Sequence, residues 1–235
     1  MTGQDIIDAV RSTLVEPVAG FWSDAEILAW VNRAELDFNN RTHILEGKSV
    51  TGTTEGVGEI PLPSNCLSVR LVLYNNANTG SGATPNWVRV YPSNLEKFGQ
   101  QTPNFLNTTT GAIGAPRSYA IWGRNLVLYP PPDNTTDSNI TMYYKAKPIP
   151  VSLAASSLNL DDSFKDGLIA YVLWKAYEKE QEVDKSLAQQ QIYETYVRHG
   201  LRWQKKQSGD QRNRIDISSP TPFEGPFDGR FNPIQ

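Results

Sequence analysis

Side chains able to perform chemistry are sparse and scattered in this chain of 235 residues. Its two histidines, His43 and His199, lie far apart, and neither sits in a metal-binding spacing such as His-Glu-x-x-His, so metal catalysis is not expected. His43 follows a helical pattern and His199 precedes Gly200, so both are expected at helix ends, where an imidazole satisfies terminal carbonyls. The single cysteine, Cys66, excludes an internal disulfide and has no second thiol to complete a zinc site. No Gly-x-Ser-x-Gly is present, and a Cys-His or Ser-His-Asp set would need distant residues to converge. Asp161 and Asp162 look superficially like paired carboxylates, but they stand directly before an apolar helical run and are expected to cap it. No catalytic, metal or cofactor-binding residue is therefore assigned, and the chain is expected not to be an enzyme.

The remaining candidates are suited to contact. Arg198, Arg202, Lys205, Lys206, Arg212 and Arg214 gather near the C-terminus, interrupted by Trp203 and one acid, Asp210. In a chain of net charge -3 this is a local basic patch, able to meet an acidic protein surface or, through salt-sensitive phosphate contacts, DNA. A solvated basic surface is the plain alternative. Further on, Phe223, Phe227 and Phe231 recur at a four-residue step in a stretch that also holds Arg230. Pro222, Gly225, Pro226 and Gly229 keep it from being helical, so it cannot bury those rings by itself. Such an arm either inserts its aromatics into a neighbouring subunit or folds back over an apolar seam of its own domain.

Helical spacing positions these residues. Ile6, Ile7, Val10 and Leu14 share one face of a first helix starting at Thr2 or Gln4, which Pro17 and Gly20 close. Ser23-Asp-Ala-Glu26 is a capping-box signature for a second helix ending near Asn39 and Asn40, with apolar residues on more than one face. After Leu160, Phe164, Leu168, Tyr171, Val172 and Trp174 define a third. Leu187, Ile192, Tyr193, Tyr196 and Val197 then extend the pattern, read as two arms of a helical hairpin broken near Val183 and Asp184. Between the helices, short apolar runs separated by Gly, Pro and Asn predict strands near 49–53, 67–75, 86–91, 118–122, 125–129 and 140–147, with a tight hairpin at Trp122-Gly-Arg-Asn125. Residues 76–85 read as a flexible loop without the Gly-Lys-Ser/Thr of a phosphate cradle, and 93–100 as a helical turn.

The fold class expected is α+β: a discontinuous helical bundle (1–48 and 149–207) interrupted by an antiparallel β-rich insertion (49–148), followed by an extended C-terminal arm (208–235). Trp30 and Trp174, with apolar neighbours at helical spacing, are read as core or intersubunit packing. Trp87 and Trp122 could form a sugar-stacking platform, the mark of a carbohydrate-binding module on a helical base. No apolar run approaches the length of a membrane span, and the acidic start lacks a signal-peptide pattern. The Asn-x-Thr triplets at Asn40, Asn107, Asn134 and Asn139 are read as turns and exposed strand ends.

Two segments carry a resemblance. Phe21-Trp-Ser-Asp-Ala-Glu-Ile-Leu-Ala-Trp-Val-Asn-Arg-Ala-Glu is similar to the capped, aromatic helix near the start of the head-to-tail adaptors of tailed bacteriophages. Phe164-Lys-Asp-Gly-Leu-Ile-Ala-Tyr-Val-Leu-Trp-Lys-Ala-Tyr is similar to their later core helix. The resemblance implies a structural, noncatalytic connector at the head-tail junction of the virion, made in the host cytoplasm. It further implies a homo-oligomeric ring, commonly twelvefold, closed by helix packing between subunits. Its partners would be the portal protein, embraced by the arm bearing Phe223, Phe227, Phe231 and Arg230, and a downstream tail or nozzle protein; the basic patch could, as the alternative to an acidic portal surface, make transient contact with DNA in the lumen. A tail-tube or gatekeeper component is the alternative within the same particle.

Overall fold

The computed structural model describes residues 1–16, 20–76, 86–101 and 113–207. Helix α1 (Gly3–Leu14) opens with a full capping box: Thr2 Oγ1 accepts from the Asp5 N–H, and the Asp5 carboxylate accepts from the Thr2 N–H at 2.7 Å. Helix α2 (Asp24–Thr42) is capped by Ser23, which accepts from the Glu26 N–H. Half of the expected box is absent there, because the Glu26 carboxylate pairs instead with Lys179 at 2.6 Å. Arg11 joins the two helices by donating to the Trp22 carbonyl and to Asp24.

Seven strands follow: β1 (Glu46–Thr53), β2 (Glu59–Pro61), β3 (Cys66–Asn75), β4 (Trp87–Pro92), β5 (Ser118–Trp122), β6 (Asn125–Tyr129) and β7 (Thr136–Ala146). They form one sheet ordered β1-β7-β3-β4-β5-β6-β2, antiparallel except for the short β4–β5 seam, where Tyr91 faces Ser118 and Pro92 faces Tyr119. That parallel step requires a crossover, which contains helix α3 (Leu95–Gln101). Phe98 of α3 is buried against Ala120 and Val127, and its ring stacks on Tyr129 at 5.1 Å. β6 is thus covered on both faces, because Leu126 and Leu128 point the other way. They enter a core with Ile60, Val72, Tyr74, Ile140 and Met142.

The β5–β6 hairpin has the expected register, with Trp122 facing Asn125 across Gly123 at φ 59. β2 went unforeseen because three residues ending at a proline show no periodicity. Asn139 is a correction: it is buried within β7, where its amide donates to Thr53 Oγ1 and Asn134 Oδ1. The region expected as a flexible loop lies outside the described residues, apart from Asn76.

A 3₁₀ turn (Asp162–Phe164) capped by Asp161 leads into α4 (Lys165–Lys179), and α5 (Val183–Gln207) returns beside it. Lys179 reaches Glu26 while Phe164 packs on Phe38, so α4 runs antiparallel to α2. Ile6, Ile7, Val31, Phe38, Leu168, Val172 and Tyr193 are among the side chains that fill the bundle core, which is separate from the core of the sheet. Gln181, at φ 63, makes the break between α4 and α5.

The junction between bundle and sheet rests on one face of α2. Asn39 donates to the Ala146 carbonyl at 2.8 Å and accepts from the Leu45 N–H at 3.1 Å, gripping the chain on its way into the sheet and out of it. Asn32 pairs in both directions with Val151, each bond 2.9 Å. Glu35, wholly buried, accepts from the N–H groups of Asn159 and Leu160 and from the Asn159 side-chain amide.

Removing Asn39 would strand two backbone groups, each worth about 1–3 kcal/mol. Asn39→Ala is expected to lower the unfolding free energy by about 2–4 kcal/mol in urea melts. The exposed neighbour substitution Asn40→Ala should change it by less than about 0.5 kcal/mol.

Candidate interaction surface

The rotational setting of α5 determines which of its side chains meet solvent. Tyr193, Val197 and Gly200 face the bundle, and Gly200 lies so close to α2 that an added Cβ would stand 2.8 Å from Phe38 Cζ and 3.0 Å from Thr42 Cγ2. The Tyr193 hydroxyl donates to Asp37 at 2.6 Å, and burial together with this acceptor pushes its pKa far above the usual tyrosine range. Beside it, Arg41 forms a two-pronged pair with Glu194, at 2.7 and 2.6 Å.

With that face fixed, Arg198, Arg202, Lys205 and Lys206 all emerge on the solvent side of α5. Their steps of three and four residues place them in one stripe toward the end of the helix. Four of the six basic residues singled out in the sequence therefore share a surface, while Arg212 and Arg214 lie outside the described residues. Phe223, Phe227, Phe231 and Arg230 also lie outside them. His199 corrects the expectation of a helix end. It sits inside α5, because Gly200 serves as a close-approach site to Phe38 and not as a terminator. His43 does end α2, in a left-handed conformation with its N–H bonded to the Asn39 carbonyl.

Trp30 and Trp174 are half-buried at the rim of the bundle core. Trp30 meets Trp22 edge-on at 5.2 Å, and Trp174 meets Tyr171 at 5.3 Å with the Lys175 ammonium 3.9 Å from its ring centre. The Lys179 ammonium lies over Trp22 at 4.7 Å and bridges to Glu26, which holds the end of α4 against the start of α2. Phe21 remains 69% exposed on this cluster. The helical hairpin also leaves Leu187 and Ile192 at the surface, although the sequence spacing had placed them with its buried residues.

Trp87 and Trp122 do not make one platform. From the β4–β5 register, Trp87 precedes the seam and Trp122 follows it, so they lie on the order of 25 Å apart along the strands. A groove of about 430 Å³ between α2 and the segment after β7, floored by Ala25, Leu28 and Ala29 and walled by Val151 and Leu153, was not legible in the sequence. Its outer wall comes from a loop, whose contacts leave no periodic signal.

The two adjacent carboxylates, Asp161 and Asp162, have structural partners. Asp161 caps the turn before α4, with its carboxyl held below the usual range by hydrogen bonds from Ser163, and Asp162 receives the N-terminal amine of Met1. Burial pushes the Cys66 thiol up, away from the reactive thiolate. Among the described residues no group of three or more His, Cys, Asp and Glu side chains could hold a metal ion, and no helix is long and apolar enough to cross a membrane.

A family model described as SU10 adaptor protein matches residues 1–218. No curated protein matches the chain.

Arg41 holds the Glu194 carboxyl below its ordinary range, so the pair stabilises the fold at neutral pH and that contribution is lost as pH falls through the carboxylate range. Both groups are partly solvated, which limits the effect to less than about 1 kcal/mol. Glu194→Gln should therefore destabilise modestly at pH 7 in urea melts. The difference from the parent should close below the ordinary glutamate value of about 4.3.

Proposed function

We propose, from the premise that the chain belongs to the SU10 adaptor protein family of bacteriophage head-tail adaptors, that it forms a ring beneath the portal and joins it to the tail. The observation that carries this reading is the family match over residues 1–218, which takes in both the helical bundle and the sheet. In this reading the protein works by geometry at the head-tail junction of the virion. A head-to-tail interface between copies closes a circle, and twelve copies is the size the resemblance implies. Trp30 and Trp174, half-buried at the bundle rim beside exposed Phe21, supply apolar contact between subunits.

The molecule divides, in this reading, into a helical base (1–48 and 149–207), a strand-rich insertion (49–148) that meets the downstream tail or nozzle protein, and the C-terminal segment. β1, the first strand of the sheet, begins at Glu46. Phe223, Phe227 and Phe231, with Arg230, anchor the C-terminal arm on the portal. Their ordering on contact would confine the entropic cost to the correct assembly step. The exposed stripe of Arg198, Arg202, Lys205 and Lys206 favours an acidic portal surface, with DNA in the lumen as its transient alternative. A gatekeeper or tail-tube component would share the fold and lack the portal contact.

Imaging of purified protein mixed with portal rings separates these roles. The parent chain is expected to decorate the portal, and Phe223→Ala with Phe227→Ala and Phe231→Ala is expected to lose most of that decoration. Equal decoration by both would remove the aromatic anchor, and none by either would favour the tail-tube reading. Arg198→Glu with Arg202→Glu should weaken portal binding by about tenfold at low salt, an effect that shrinks as salt is raised.

A further inference from the structure

Helix α5 closes over the place where the chain enters and leaves the sheet. Trp203, Gln204 and Gln207 from its last turns, Ile44 and Glu46 from the chain entering β1, and Lys145 near the end of β7 line a pocket of about 190 Å³. The strand register sets Glu46 opposite Lys145, and Glu46 Oε1 accepts from Lys145 Nζ at 2.6 Å. The two partners are unequally covered, the lysine side chain being 6% exposed and the glutamate 63%. Trp203 meets Phe164 edge-on at 6.2 Å, which braces the indole as one wall.

A buried ammonium is costly unless its donors are used. Lys145 carries three, and among the described residues Glu46 is the one side chain that accepts from it. That carboxylate stands mostly in water, so an incoming group of the same kind can replace it at little cost. The rest of the lining suits such a group. Gln204 and Gln207 carry amide donors, and Ile44 and Trp203 offer apolar surface to a short aliphatic stem. Outside the pocket, Arg202, Lys205 and Lys206 are exposed on the same end of α5 and give the approach a positive field.

We propose that this pocket is a carboxylate-binding site, which takes an aspartate or glutamate side chain from an acidic segment of a partner protein and anchors it on Lys145 Nζ. Duplex DNA does not suit the same geometry. Its phosphates are carried along a stiff rod, which can lie across the exposed stripe but cannot send a single group into a recess against a buried ammonium. A carboxylate on a flexible stem can. Because α5, β7 and the link from α2 to β1 all contribute to the lining, an occupant would also staple the bundle to the sheet. The chemistry of the site stands without the adaptor reading; only the identification of the acidic partner with the portal rests on it.

Calorimetric titration of the full-length protein with hexaglutamate, and separately with a short DNA duplex, tests the site. Hexaglutamate should bind the parent, and Lys145→Met, which keeps an unbranched apolar stem and removes the charge, should weaken that binding by about tenfold. Glu46→Gln removes the internal competitor and should tighten it by about threefold or more. Glu55→Gln makes the same charge change at an exposed position beyond the far end of β1 and should shift it by less than about twofold. No binding by the parent, equal binding by the parent and Lys145→Met, or equal effects of Glu46→Gln and Glu55→Gln would overturn the assignment. Should Lys145→Met fail to fold, the two glutamate variants decide it. Duplex binding that depends on Lys145 would make the ligand a phosphate and overturn the carboxylate reading. Hexaglutamate binding that appears only after Asp210→Asn with Asp216→Asn would make this chain's own acids the occupant and overturn the partner. Hexaglutamate binding through Lys145 without portal decoration would count against the adaptor reading alone.

Discussion

The Asn39 side chain holds the place where two structures that share few residues must be kept in register. A sheet inserted into a helical bundle is joined to it by two chain crossings, and both crossings present backbone groups that the regular ladders do not fully use. Asn39 supplies a donor to one and an acceptor to the other, while the Ala146 N–H bonds to the Leu45 carbonyl alongside. A hydrophobic residue could fill the same volume and would leave both groups buried without partners, which costs more than the net worth of an ordinary hydrogen bond. Asn32 and Glu35 extend the same device along α2, so the returning chain is held at Val151 and again at Asn159 and Leu160 before α4 begins. The antiparallel placement of α4 on α2 follows from where that returning segment is released.

From α4 the constraint passes to α5, and its currency changes from hydrogen bonds to close approach. Gly200 lets the α5 backbone come against Phe38 and Thr42, and Gly167 of α4 sits under the Tyr196 side chain in the same manner. Two glycines inside helices lower their intrinsic stability by about 1 kcal/mol each relative to alanine, a loss that tertiary packing must offset. The Tyr193 hydroxyl bond to Asp37 then removes the remaining freedom of rotation, since it ties one face of α5 to one face of α2. The outward stripe is a consequence of these inward contacts.

Much of this was legible where the local signal and the tertiary outcome agree. Ser23 before an apolar period, Asp161 before Phe164 and Gly123 at φ 59 between two strands each act through local backbone chemistry, and each gave an element where expected. The fold class followed from the change of period between the helical and strand-rich regions. The misreadings came where a residue is used for distance. Gly200 looks like a terminator in sequence, and only the proximity of Phe38 makes it an interior residue. Asn139 reads as a turn residue, and its burial depends on Thr53 and Asn134 arriving from other segments. The polar face of Asn32, Glu35 and Asn39 carries a helical spacing, yet nothing local says what it binds. For the candidate surface, the stripe on α5 could be inferred as a cluster, but its common exposure required knowing which face Tyr193 and Gly200 occupy.

The charges of that stripe do not all need the same explanation. Lys205 and Lys206 stand in the last turn of α5, where the helix dipole favours cations regardless of any partner. The dipole interaction fades beyond a single turn, so it does not account for Arg198 or Arg202. Arg198 lies near enough to Glu194 to help lower its pKa, which gives it an intramolecular use. Arg202, among the described residues, makes no ion pair, and it stands on the same exposed row between the two explained groups. Helix propensity would be served nearly as well there by a neutral glutamine or an alanine. Arg202 is therefore the position of the basic stripe that the described part of the fold explains least.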